Sequence, residues 1–334
     1  MKKYILLIVL IGGISSGCIK DPDTEANTYE GNFEALWKII DRQYCYLDYK
    51  GIDWEAVYSQ YQPRLRNVTD HMSFFDLLGE MLNELQDGHV NLYSPFNTSR
   101  YWDWYTDYPA NFNSEILYSD EYLGRNYKTV GGIRYGKIKD GTIGYIYYGS
   151  FSGSFSDGNF SYIFKYFKDC TGLIIDVRNN GGGNLNYAEQ MASYFFTRET
   201  LTGYIAHKTG PGHSDFSKPV AFNTPANSSL RWEKPVAVLS NRMSYSATND
   251  FVNRMKNAPN AVIIGDKTGG GGGMPLSSEL PNGWMVRFSA CPMYDIRMQH
   301  TEWGIDPDIK VDMDPDDRQY DAIIERAVEE LRSM

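Results

Sequence analysis

The chain is 334 residues long, 42% hydrophobic and 15% aromatic, with 26 Tyr and a net charge of −10. That length buries a large core, read as one large domain with a smaller one appended, and the aromatic content excludes disorder over most of the chain. The negative charge argues against nucleic acid or anionic lipid headgroups as partners.

At the N-terminus, Lys2 and Lys3 precede an apolar run from Tyr4 to Ile14 that is too short to span a bilayer as a stable helix. Ser15, Ser16, Gly17 and Cys18 follow. The basic patch, short apolar core and Gly-Cys junction resemble a bacterial lipoprotein signal. The resemblance implies loss of residues 1–17, a lipid on the Cys18 sulfur and a tether over residues 18–29. It places the protein in the cell envelope, touching the membrane through that anchor only. Cys45, Cys170 and Cys291 show no metal-ligand spacing, and three thiols cannot all pair, so no disulfide framework is expected.

Residues 30–93 read as a small helical module. Phe33, Leu36, Trp37, Ile40 and Tyr44 form the stripe of a first helix, and Trp54, Val57, Tyr58 and Tyr61 that of a second, interrupted by Pro63. Ser73 caps a third, whose buried face is Leu77, Leu78, Met81, Leu82 and Leu85, and Gly88 stops it. His89 then stands at the hinge before the strand-like Val90 to Tyr93, either as a structural histidine or with ring nitrogens free for another element.

Residues 94–140 carry few periodic runs and read as loops and edge strands beside a groove. Order resumes with a strand over Ile143 to Tyr148 and a helix bearing Phe160, Ile163, Phe164 and Phe167. A buried strand, Gly172 to Val177, leads through Asn179, Asn180, Gly181, Gly182 and Gly183 into a helix over Leu185 to Phe196. This alternation signals an α/β core. The glycine loop lacks the lysine and spacing of a nucleotide site, which leaves an oxyanion donor or a plain tight turn.

After a polar excursion over residues 200–233 comes the strand Val236 to Leu239, a polar turn, and a helix from Ser246 or Ala247 with Phe251, Val252 and Met255 on one face. A serine held there sits beside unpaired N–H groups at the positive end of a helix, where a nucleophile would be placed. The other reading is that Ser244 and Ser246 only cap the helix. Five consecutive glycines, Gly269 to Gly273, mark either a mobile segment or a backbone passing very close to something. Asp312, Asp314 and Asp316 lack the Gly and Glu of a calcium loop and read as acids before a final helix from about Arg318 to Leu331.

Four ordered segments, DGH at Asp87 to His89, LIIDVRNNGGG at Leu173 to Gly183, SYSAT at Ser244 to Thr248 and EWGIDPD at Glu302 to Asp308, together resemble the tail-specific (C-terminal processing) serine protease family. Within it, they are similar to the branch of the tricorn core protease and the photoreceptor retinoid-binding protein. The resemblance implies a crotonase- or ClpP-like αβ spiral for a catalytic domain over residues 94–334, behind the helical module. It implies Ser246 as nucleophile, His89 as general base and Glu302 as the carboxylate orienting it, with the amides of Ala247 and Gly182, or Gly181, as oxyanion donors. The lysine of the other branch would fall on Gly271, which removes a Ser-Lys dyad. No metal or organic cofactor is implied, and residues 94–140 are too few for a PDZ domain. The implied function is a serine endopeptidase acting on peptides or unfolded proteins. The alternative is a catalytically silent lipoprotein that binds a peptide, glycan or apolar ligand.

Overall fold

Apolar stripes at helical spacing fold the N-terminal third into α1 (Tyr29–Gln43), α2 (Leu47–Lys50), α3 (Trp54–Tyr61) and α4 (His71–Asn83), with a tight 3-10 turn over Gln62–Asn67 where Pro63 ends α3. This is a computed structural model, and it describes residues 25–334. The signal, Cys18 and the first part of the tether therefore lie outside the described residues. From Glu25 the chain is already docked: Glu25 pairs with Lys38, and the Asn32 amide donates to Asn27 at 3.0 Å. Asp70, not Ser73, caps α4, because its carboxylate accepts the Ser73 N–H at 2.8 Å while the Ser73 hydroxyl accepts the Asp70 N–H at 3.2 Å.

The helices do not close a core of their own. Leu36, Phe74 and Leu78 pack on Trp284, Val286 and Phe288, which belong to the far end of the chain. That surface is a five-stranded antiparallel sheet formed by β1 (Asn91–Tyr93) with strands supplied after residue 199. The expected boundary at residue 93 is thus a connection in sequence, whereas the packing is continuous across it.

Beyond β1 come the short helices α5 (Asp103–Thr106) and α6 (Ser114–Leu117), then β2 (Lys128–Val130), β3 (Ile133–Ile138), β4 (Ile143–Tyr148), α7 (Asp157–Tyr166), β5 (Gly172–Asp176) and α8 (Leu185–Ser193). β6 (Thr200–Ile205) and β7 (Val220–Thr224) form the ribbon of the polar excursion. β8 (Val236–Ser240), α9 (Ala247–Met255), β9 (Ala261–Gly265), β10 (Gly273–Glu279), β11 (Met285–Tyr294), β12 (Ile309–Lys310) and α10 (Ala322–Ser333) complete the chain. The central sheet runs β12-β9-β8-β5-β4-β3-β2, parallel from β12 to β4 and antiparallel beyond.

Both faces are covered in the middle of that sheet, which is why β5 and β8 read as unbroken apolar runs. Leu173, Ile175, Val236 and Val238 face Phe160, Phe251 and Met255, whereas Ile174, Ala237 and Leu239 face Ile323, Ile324 and Ala327 of α10. β3 lies inside the sheet, whereas residues 94–140 read as loops and edge strands; Gly136 and Lys137 break the alternation that Ile133, Arg134 and Tyr135 begin. α10 starts at Ala322 rather than near Arg318, because the Asp321 carboxylate caps it by accepting the Ile323 and Ile324 N–H groups at 3.0 and 3.1 Å. Asp316 and Asp317 lie upstream of that cap.

Asp321 also binds Arg178 at 3.1 Å, and Arg178 binds Asp176 at 2.7 Å, with all three residues fully buried. This triad ties the end of β5 to α10. Arg178→Met leaves two buried carboxylates without a cation and is expected to cost about 3–5 kcal/mol in urea denaturation. A loss below about 1 kcal/mol would show that the triad does not hold the two elements together.

Candidate active site

Ser246 is the N-cap of α9, with φ 58° and ψ −119°, a conformation that an L-residue adopts at a cost of about 1–3 kcal/mol. The surroundings hold it there. Its N–H donates to the Gly270 carbonyl at 2.9 Å, the Tyr245 N–H donates to Asn180 at 3.1 Å, and the Gly269 N–H donates to Ser244 at 3.0 Å. Ser244 is committed to structure: its hydroxyl donates to the Val177 carbonyl at 2.9 Å and accepts the Asn241 N–H at 3.1 Å. Of the two serines considered for this turn, Ser246 alone presents its hydroxyl to a titratable side chain.

That group is His89. Its Nε2 lies 2.9 Å from the Ser246 Oγ. The ring is 2% exposed and packs edge-on against Tyr245 at 5.0 Å between centroids. Burial lowers the imidazole from its ordinary 6.5 to about 4; the Asp87 carboxylate opposes the shift, and the Arg287 and Lys50 charges add to it. The imidazole is therefore neutral at pH 7, as a proton acceptor must be.

A buried ionic cluster lies beneath the histidine. Asp87 accepts the His89 backbone N–H at 2.8 Å, the Ser289 hydroxyl at 2.8 Å, the Tyr44 hydroxyl at 3.0 Å and the Tyr245 hydroxyl at 3.3 Å. Burial alone would raise this carboxyl, but the Lys50 and His89 charges and these donors bring it below its ordinary range. The Lys50 Nζ lies 2.7 Å from the Glu302 Oε1 and donates to the Leu85 and Gln86 carbonyls, each at 3.1 Å. One ammonium from α2 thus holds both the segment leading to His89 and the carboxylate of the C-terminal motif. Sequence reasoning missed Lys50, since a lone lysine before Gly51 looks like a solvated helix end.

Glu302 is buried, and burial, with the Asp87 charge next, pushes its carboxyl up from the ordinary range, while the Lys50 ammonium at 2.7 Å opposes the shift. The expected hydrogen bond from the His89 ring to the Glu302 carboxylate is not formed. The Glu302 Oε2 accepts the Gly272 N–H at 3.1 Å, and the His89 Nδ1 is buried without a hydrogen-bond partner. Asp87 is the carboxylate that engages His89, through its backbone.

The expected oxyanion donors also need correction. The Gly182 N–H is taken by the Asn180 side chain at 3.0 Å, so it is not available to a ligand. Gly182 instead supplies space: at φ 96°, a Cβ there would lie 2.8 Å from the Ser246 Cβ and 2.9 Å from the Ala247 nitrogen. Among the described residues, the amides of Ala247 and Gly181 have no protein acceptor and remain free.

The glycine run is a close-packed passage. A Cβ on Gly270 would meet the Glu302 carbonyl oxygen at 1.8 Å, and one on Gly272 the Thr301 hydroxyl at 2.3 Å. Asn249 reinforces the junction by donating to the Thr301 carbonyl at 3.0 Å. In front of Ser246 lies an open cleft of about 480 Å³, reached by His89, Trp104 and Gly181, and beside it a smaller pocket of about 80 Å³ walled by Phe222, Met274 and Met293. No helix among the described residues is long and apolar enough to cross a membrane. Cys45, Cys170 and Cys291 are buried, unbonded thiols.

Comparison with known proteins matches residues 142–311 to peptidase family S41 and residues 25–83 to the tricorn protease C1 domain. A crystal structure of a candidate peptidase from Parabacteroides merdae ATCC 43184 is 50% identical, covers 92% of this chain and 97% of its own, and superposes with a TM-score of 0.87. The carboxy-terminal processing protease CtpB of Bacillus subtilis (strain 168) is 26% identical over 183 residues, 52% of this chain. The match spans 35% of that relative's length, about a third. Mature CPAF, at 13% identity, shares the fold over 91% of this chain and 96% of its own with a TM-score of 0.70. The expected α/β protease architecture is the one these structures share.

Lys50→Met strands two buried carboxylates and is expected to cost about 3–5 kcal/mol, whereas adding Glu302→Gln to it restores more than half. Urea denaturation of the single and double variants checks this. Additive losses would mean that the Lys50–Glu302 contact contributes nothing of its own.

Proposed function

The chain belongs to peptidase family S41, and from that membership we propose that it is a serine endopeptidase of the cell envelope, cleaving peptides or unfolded protein segments through an acyl-enzyme at Ser246. The observation that carries this reading is the 2.9 Å contact between the His89 Nε2 and the Ser246 Oγ, groups 157 positions apart in sequence. Helical stacking or capping would not bring a buried neutral imidazole onto a strained serine.

Neutral His89 takes the hydroxyl proton as the Ser246 Oγ attacks the peptide carbonyl. The resulting oxyanion is met by the free amides of Ala247 and Gly181, at the positive end of α9. The imidazolium returns the proton to the leaving amine, and water then hydrolyses the ester by the same route. Asp87, held by its hydrogen-bond donors, stabilises the transient imidazolium and fixes the His89 backbone. Glu302 positions this assembly from behind through Lys50. The sequence from Lys2 to Cys18 supports export and lipidation at Cys18 as the means of attachment. The substrate is peptide rather than nucleic acid, consistent with the chain's negative charge. The rival reading, a silent binding protein, has no need of the Ser246–His89 contact.

A fluorophosphonate probe is expected to label the protein on Ser246, with labelling lost in Ser246→Ala and reduced by at least about 10³-fold in His89→Ala. An intact, folded protein that takes no label would favour the binding protein.

The pH dependence is equally specific. A histidine at its ordinary value would give kcat/KM rising through pH 6 to 7. Burial lowers His89 to about 4, so the active neutral form persists down to that pH, and kcat/KM should be flat from pH 5 to 7 and fall through about 4. The same shift means that any stability gained by keeping the ring neutral is complete above about 6.5 and lost as pH falls towards 4. An acid limb centred near 6.5 would show that the base is not held as the structure holds His89.

A further inference from the structure

The open cleft in front of Ser246 is charged against the sign of the whole chain. Its charged lining residues are Arg100 and Arg287, with no Asp or Glu among the rest, in a protein of net charge −10. Arg287 lines both this cleft and the smaller pocket, and Ser246 lines both as well, so the arginine borders the two cavities that share the nucleophile.

The buried arginines elsewhere are paired: Arg178 with Asp176 and Asp321, and Arg254 with Asp250 and Glu189. The side chain of half-buried Arg287 makes no ion pair or hydrogen bond to any described residue. Its cross-strand neighbours on β11 are neutral, Asn91 on β1 and Ser277 on β10. The one acid lining the smaller pocket, Asp250, is held by Arg254 at 2.8 Å. A partly desolvated guanidinium fork with no partner, beside a reacting serine, is built for a planar anion supplied from outside. Its charge also disfavours the imidazolium form of His89, and a bound carboxylate would offset that effect.

We propose that Arg287 anchors a carboxylate of the peptide substrate, either a terminal α-carboxylate or an Asp or Glu side chain, next to the bond presented to Ser246. This rests on the reading of the cleft as a peptide site and names the substrate class that it prefers.

The test uses the full chain carrying Ser246→Ala, immobilised, and a random library of eight-residue peptides made both as free acids and as C-terminal amides. Retained peptides are read by mass spectrometry at low salt. Carboxylate-bearing peptides should be retained about tenfold or more over neutral ones. Adding Arg287→Gln should abolish the preference, and Arg287→Lys, which keeps the charge without the fork, should restore part of it. Retention of free acids lacking Asp and Glu assigns the terminal carboxylate; retention of amides containing Asp or Glu assigns a side chain. Equal retention of charged and neutral peptides, no retention at all, or a preference unchanged by Arg287→Gln overturns the proposal. The protein tested has no nucleophile, so the outcome is independent of hydrolysis, and labelling of the unmodified chain by fluorophosphonate reports separately on Ser246.

Discussion

One buried ammonium, Lys50, joins the two ends of the chain at the site. It comes from a short helix in the N-terminal third, touches the carbonyls that precede His89, and neutralises Glu302, a residue more than two hundred positions later. An ion pair this deep is weak evidence for net stability, because desolvating both groups offsets most of their attraction. Its value is positional. Leaving either partner alone in the interior is costly, so the helices, the strand after His89 and the C-terminal motif are forced into one arrangement. The Ser246–His89 contact is a consequence of that arrangement.

The nucleophile depends on close approach of backbones. Gly182 and the glycine run crowd Ser246 and the chain beside Glu302 so tightly that side chains would collide, and the Gly270 carbonyl holds the Ser246 N–H while φ stays positive. Strain at Ser246 is thus sustained by packing on both sides, the condition under which an unfavourable backbone persists at a reactive residue.

Much of this was legible in the sequence because burial writes itself into residue choice. β5 and β8 are covered on both faces and read as continuous apolar runs, close backbone approach was one of the two readings of the glycine run, and Ser246 and His89 stood at element junctions. Other features left no local trace. Lys50 resembles an ordinary exposed lysine until tertiary packing covers it. Asp70 displaced Ser73 as a cap because an ionised carboxylate is the stronger acceptor for a helix N-terminus. The role of Gly182 was misassigned because sequence places a glycine amide near the serine but does not show that Asn180 has already claimed it. Arg287 lies in a strand whose alternation says only that it faces away from the core. Its lack of a partner is visible only when every neighbouring acid has been located.

The most direct test of the central claim is a crystal structure of the fluorophosphonate adduct. Phosphorus is expected on the Ser246 Oγ, with a phosphoryl oxygen within about 3 Å of the Ala247 and Gly181 amides and the His89 Nε2 still within hydrogen-bond reach of the Ser246 Oγ. An adduct on another residue, or a phosphoryl oxygen turned to solvent with His89 displaced, would contradict the claim.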